Sequence, residues 1–184
     1  MLALVNTTGQ PPRNLILIGF MGTGKTTIGK RVARSLGMKF VDTDLLIVKK
    51  AGKSIPKIFK DSGEEVFRAM ETEVLKECGG KTGQVISTGG GIVTRPENLE
   101  LLKSSGYVIW LKASPETIFE RVSRNRNRPL LRTDNPLKTI TDLLTQRAGL
   151  YAGAQHLSIN TDELTMEETC FGVTESAKLA LGIG

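Results

Sequence analysis

An apolar run, Leu15-Ile16-Leu17-Ile18, leads into Gly19-Phe20-Met21-Gly22-Thr23-Gly24-Lys25-Thr26, and a helical pattern continues to Leu36. The order is strand, glycine loop, helix, and the loop has the spacing GxxxxGKT. Glycines at these positions let successive backbone N–H groups curl around phosphate oxygens, a lysine adds a point charge, and the hydroxyl after it can ligate magnesium. Gly22, Thr23, Gly24, Lys25, Thr26 and Thr27 are therefore the candidate contacts to a nucleotide, with Thr26 also a metal candidate. A plain glycine turn is the competing reading, and the placement between a buried-strand pattern and a helix argues against it.

Beyond the loop, short apolar segments alternate with amphipathic ones. Strands are predicted at Leu15 to Gly19, Lys39 to Asp42, Gln84 to Ser87, Tyr107 to Leu111 and His156 to Ile159. Helices are predicted at Lys25 to Leu36, Asp44 to Ala51, Glu64 to Cys78, Pro96 to Ser104, Pro115 to Val122, Pro136 to Tyr151 and Thr165 to Leu181. Strands of Val, Ile and Leu separated by helices predict an α/β chain, three layers α/β/α around a five-stranded parallel sheet. Ligands of such a sheet sit beyond the strand C-termini. With 184 residues the chain is expected to be one domain, with a core at 14–44, 79–120 and 136–184. The all-helical stretch 45–78 and the Arg- and Asn-rich stretch 121–135 break the winding. In a phosphate-loop kinase these are the places for an acceptor-binding insertion and a closing lid.

Composition excludes several classes. Hydrophobic content of 39% and charged content of 24% are those of a globular chain, and no apolar run approaches the ~20 residues of a membrane span. Residues 1–14 carry a short apolar patch, Leu2 to Val5, without a basic segment ahead of it, and read as a loose leader; a cytoplasmic location is expected. Cys78 and Cys170 lack CxxC spacing and are expected to be reduced and structural. A net charge of +6 suits either nucleic acid or a site for several phosphates. The arginines concentrate at Arg121, Arg124, Arg126, Arg128 and Arg132 without interleaved aromatics, which favours a phosphate-covering flap over a nucleic-acid surface.

Asp42-Thr43-Asp44 follows the second strand. Residues two apart on a strand share a face, so both carboxylates are expected to lean toward the phosphate loop, one for magnesium and one for an acceptor hydroxyl. Helix capping by Asp44 is the alternative. Arg68 lies beside the core-facing Phe67 and Met70, with Glu71 three residues on to steady it; a solvated ion pair is the alternative. Gly89-Gly90-Gly91, directly after a strand, would let backbone approach a ligand. Arg128 and Arg147 are further candidate anion contacts or ordinary surface arginines, and Arg147 shares a helix face with Tyr151. His156 and Trp110 read as incidental and core residues.

In order along the chain, GFMGTGKT, DTD, FRAME, GGG, RPLL and RAGLY resemble the shikimate kinases, phosphate-loop enzymes similar to the nucleoside monophosphate kinases. The resemblance runs from about Asn14 to the last helix. It implies transfer of phosphate from ATP to the 3-hydroxyl of shikimate by a monomer, with ATP as co-substrate, Mg2+ as cofactor, and neither nucleic acid nor membrane as partner. Carried over residue by residue, Lys25 and Thr26 would bind ATP phosphates and magnesium, and Asp42 would reach the metal. Asp44 would contact the accepting hydroxyl as base. Arg68 and Arg147 would clamp the substrate carboxylate, and Gly89, Gly90 and Gly91 would approach the ring. Arg128 would cover the transferring phosphates and Arg121 would pack against adenine. The loop with Thr161 and Asp162 resembles the adenine side. Another small-metabolite kinase of this fold, such as a gluconate kinase, or a non-catalytic nucleotide-binding domain, is the alternative.

Overall fold

In a computed structural model, residues 13–123 and 133–183 are described. Five parallel strands, β1 (Leu15–Ile18), β2 (Lys39–Asp42), β3 (Gln84–Ser87), β4 (Tyr107–Lys112) and β5 (Leu157–Asn160), form one sheet in the order β2-β3-β1-β4-β5. β1 is central, with Leu15 opposite both Val85 and Tyr107. The helices are α1 (Lys25–Leu36), α2 (Thr43–Ala51), α3 (Ile55–Gly79), α4 (Pro96–Ser105), α5 (Pro115–Ser123), α6 (Pro136–Ala154) and α7 (Met166–Leu181).

The two-residue period of the strands divides the core. Ile16, Ile18, Val41, Ile86 and Val108 pack on one face with residues of α2, α3, α4 and α6. Leu15, Leu17, Val85, Ile109 and Leu111 pack on the other with α1 and α7. Every residue of β1 is fully buried, which is why its sequence is continuously apolar rather than alternating. A smaller cluster of Phe20, Ile118, Val122 and Ile140 seats α5 and α6 against the phosphate loop.

Several ends follow the expected chemistry. Gly37 closes α1 in the left-handed conformation, and the Ser114 hydroxyl accepts from the Thr117 N–H at the start of α5. Two places differ. The span α3 holds two helical segments broken at Gly63 (φ 84, ψ 170): the second starts at Glu64 as predicted, and ahead of it Ser54 and Pro56 initiate a short segment from Ile55 that was not predicted as a helix of its own. A single 3-10 turn, Ile92–Thr94, follows the three glycines.

The N-terminal edge of the sheet is tied by one side chain. Asn14, 1% exposed, donates from Nδ2 to the carbonyls of Lys81 (2.7 Å) and Ser105 (3.0 Å) and accepts from the Gln84 N–H (3.0 Å). It thereby joins the entries to β1, β3 and β4. Asn14→Ala is expected to cost about 2–4 kcal/mol, since the buried groups it pairs lose their partners. Urea unfolding checks this, and a loss below about 0.5 kcal/mol, the scatter of ordinary surface changes, contradicts it.

Candidate active site

β1 ends in the phosphate loop, whose turn requires left-handed backbone at Gly22 (φ 81) and Gly24 (φ 90), conformations that side chains rarely adopt. Lys25, at the first turn of α1, folds back over this loop and its Nζ donates to the carbonyls of Gly19 (2.7 Å) and Phe20 (2.8 Å). The loop opens on a cleft of about 520 Å³. Gly22 through Thr27 line it as expected, together with Asp42, Asp44, Gly90 and Arg121.

At its floor the Thr26 hydroxyl donates to Asp42 Oδ2 (3.0 Å) and lies 3.4 Å from Ser87 Oγ. These are hard oxygen donors. Among the described residues no group of three His, Cys, Asp or Glu side chains is placed to hold a metal. Magnesium does not require one, because it binds through one or two carboxylates completed by water and substrate phosphates. The donor set Thr26, Asp42 and Ser87 fits that ion.

Asp42 and Asp44 meet in the cleft for a different reason from the one the sequence suggested. β2 stops at Asp42 and α2 starts at Thr43, so the two-residue strand period does not apply. Asp42 is itself the cap of α2, accepting from the Asp44 N–H (3.1 Å) and the Leu45 N–H (3.3 Å), while Asp44 sits in the first turn. The capping role weighed for Asp44 thus belongs to Asp42, whose other oxygen stays on Thr26. Thr43, fully buried between the two aspartates, accepts from the Gly89 N–H (3.2 Å) and so fastens α2 to the glycine run.

Arg68 is held on two sides. Its Nη1 donates to Glu71 (2.6 Å), and its Nε and Nη2 donate to Glu64 (3.1 and 2.8 Å). The side chains of Arg68 and Glu71 are 13% and 0% exposed, so this is no solvated ion pair. Room for them comes from the glycines. A methyl group on Gly91 would collide with the Arg68 guanidinium, and one on Gly89 would collide with the carboxylates of Glu71 and Asp44. On the opposite side, Arg147 Nη1 (3.3 Å) and the Tyr151 hydroxyl (2.5 Å), both from α6, donate to the Gly90 carbonyl, and the Arg147 guanidinium lies over the Phe20 ring at 5.8 Å. Arg68 and Arg147 therefore meet neighbouring glycines, Gly91 and Gly90, at the edge of the cleft beside Asp44.

Arg121 donates to the Thr161 carbonyl (2.9 Å) and hydroxyl (3.0 Å) and more weakly to the Gly22 carbonyl (3.4 Å), which sets a flat cation at the far end of the cleft. Asp162, read as part of the same loop, instead accepts from the Ser114 N–H and anchors the start of α5. His156 accepts at Nδ1 from the Val108 N–H and is structural. Trp110 is partly buried and stacks on Tyr151. Cys78 and Cys170 are unpaired thiols. Arg128, with Arg124, Arg126 and Arg132, lies outside the described residues. Sequence reasoning missed Thr43 and Ser87, although both stand inside or beside the motifs that it used.

A sequence model of the shikimate kinases matches residues 21–178. The chain belongs to the shikimate kinase family. It is 49% identical over 156 residues to the shikimate kinase of Thermodesulfovibrio yellowstonii, spanning 85% of this chain and 90% of that one. A shikimate kinase structure from Acinetobacter baumannii, solved in complex with shikimate, superposes with a TM-score of 0.85 at 39% identity over 90% of this chain and 92% of that one. A gluconokinase from Sinorhizobium meliloti matches with a TM-score of 0.54 at 14% identity over 91% and 94% of the two chains, which shows a shared fold alone.

The buried carboxyl gives this shikimate kinase family site a pH signature. Burial, with a smaller push from Asp44 and against the pull of Arg68, raises Glu71 to about 7 from an ordinary value of 4.5. The folded protein thus holds a proton that the unfolded chain has already released. The associated stability is complete below the unfolded value and is lost as pH rises through the folded one. Relative to Glu71→Gln, the wild type is expected to lose stability between about pH 5 and about pH 8. A parallel pH dependence of the two urea midpoints would contradict a proton held at Glu71.

Proposed function

We propose that this protein transfers the terminal phosphoryl group of ATP to the 3-hydroxyl of shikimate, giving shikimate 3-phosphate and ADP, a step of chorismate and aromatic amino acid biosynthesis. The observation that carries this reading is the meeting of Arg68 and Arg147 at Gly91 and Gly90, one residue apart and next to Asp44. Two guanidinium groups converging beside a carboxylate suit an acceptor that bears both an anionic group and an alcohol. They also select against uncharged polyols, which offer neither guanidinium an anionic partner.

Phosphoryl transfer asks mainly for positioning and charge neutralisation. In this reading the acceptor oxygen bonds to the γ-phosphorus, the bond from that phosphorus to the β,γ-bridging oxygen breaks, and the hydroxyl proton passes to the Asp44 carboxylate. Lys25 and the N–H groups of Gly22 through Thr27 hold the phosphates, and Arg121 faces the nucleoside. Thr26 and Asp42, with Ser87, would hold Mg2+, which when bound neutralises phosphate charge. Residues 45–78 serve as the acceptor-binding insertion and 121–135 as the lid that excludes water, with Arg128 assigned there from the family resemblance alone. Among the described residues no helix is long and apolar enough to cross a membrane. We place the protein in the cytoplasm as a monomer.

Coupled assays with shikimate and gluconate test the assignment; turnover with gluconate and none with shikimate rejects it. Asp44→Asn is expected to lower kcat by about 10²-fold or more, with nucleotide affinity retained. Near-normal kcat removes Asp44 as the base. Arg68→Leu and Arg147→Leu are each expected to raise the KM for shikimate by about 10-fold or more, and that for ATP by less than about 2-fold. Equal shifts in both constants contradict a carboxylate clamp.

A further inference from the structure

Tyr151 is fully buried on α6, its ring stacked on Trp110 at 5.3 Å and 18°, and the cleft lining does not include it. Its hydroxyl nevertheless makes a 2.5 Å bond to the Gly90 carbonyl, the oxygen that also receives Arg147 at 3.3 Å. Resting on the reading above, we propose that Tyr151 is a positioning residue for the acceptor: it pins the Gly90–Gly91 peptide, so that Arg147 can leave Gly90 for the substrate carboxylate without orphaning a carbonyl.

A trans peptide sets its C=O and N–H in opposite directions, and no described peptide bond is cis. Drawing the Gly90 oxygen toward α6 therefore aims the Gly91 N–H away from α6. No backbone acceptor among the described residues takes that N–H or the N–H of Gly90. Glycine would not keep this orientation unaided, because it loses more freedom on ordering than any other residue.

The two donors on the Gly90 oxygen are unequal. At 3.3 Å the Arg147 bond is long for an N–H donor, and an anionic oxygen is a better partner for a guanidinium than an amide carbonyl. The Tyr151 bond is short, and its phenol is locked by the Trp110 stack. Burial pushes the Tyr151 hydroxyl up to about 12, against the opposing charge of Arg147, so it remains a donor across the working pH range. An arriving carboxylate takes Arg147, and the Gly90 oxygen stays satisfied. Were Tyr151 unable to donate, Arg147 would be the carbonyl's side-chain partner among the described residues, and every binding event would have to break that bond and leave a half-buried acceptor without a protein donor.

Tyr151→Phe keeps the ring and its stack and removes only the donor. The KM for shikimate is expected to rise about 10-fold, with the KM for ATP and kcat each within about 2-fold of wild type. Unchanged KM for shikimate overturns the proposal, as does an equal rise in both KM values, which would mark a general loss of structure. A second measurement uses the wild type, so that it does not depend on how the variant folds. In ¹⁵N-glycine-labelled protein, adding shikimate should move the Gly91 amide proton downfield while gluconate leaves it in place, and an unmoved Gly91 resonance overturns the proposal. Wild type that phosphorylates shikimate while failing these tests sinks the tether alone; wild type that does not phosphorylate shikimate sinks the assigned function instead.

Discussion

Three residues without side chains, Gly89 to Gly91, set the geometry of the acceptor end. They follow β3, beside the central β1, and are closely flanked on both sides. Asp44 and Glu71 press against Gly89, Arg68 against Gly91, and Tyr151 and Arg147 hold Gly90 from α6. Thr43 fixes the first of them to α2. Helices from the insertion and from the far half of the chain are thereby registered on a single backbone segment, within reach of the phosphate loop.

The same packing handles a problem of charge. A site for a triphosphate and an anionic acceptor must gather cations, yet cations gathered in a folded protein repel one another. Each guanidinium here has an internal partner. Arg68 has Glu71 and Glu64, and Arg147 has a carbonyl and the face of Phe20. Arg68 is the more deeply held, since it donates to two carboxyl groups and one of them, Glu71, is fully buried. Arg147 touches a carbonyl and an aromatic face and feels Glu71 at longer range, and of the two it is the arginine more easily drawn to a substrate.

Much of this was legible in the residues. The phosphate loop, the strand cores and the ends of α1 and α5 follow from local rules: buried runs of branched aliphatics, glycine at left-handed positions, and serine before proline. What escaped depended on tertiary placement. Asp42 ends its strand one residue before a helix, so a two-residue periodicity drawn across the junction reached a correct pairing by an inapplicable route. The segment from Ile55 carried its own signals in Ser54 and Pro56, and Gly63 separates it from the predicted helix, but only its packing, with Ile58 in the core, marks so short a stretch as helical. For Arg68 a solvated ion pair stayed open as the alternative, because i,i+3 spacing to a glutamate says nothing about burial. That its space is provided by Gly91, twenty-three residues away, can be seen only in the fold.

The most direct test is a single methyl group. Gly91 has φ −98 and ψ 0, which alanine can adopt, so Gly91→Ala adds no backbone strain and should fold by displacing the flexible end of Arg68. If the glycine run exists to seat that guanidinium, shikimate affinity measured by calorimetry falls by about 10-fold or more while ATP affinity stays within about 2-fold of wild type. Wild-type affinity for shikimate in a folded Gly91→Ala protein would contradict the account.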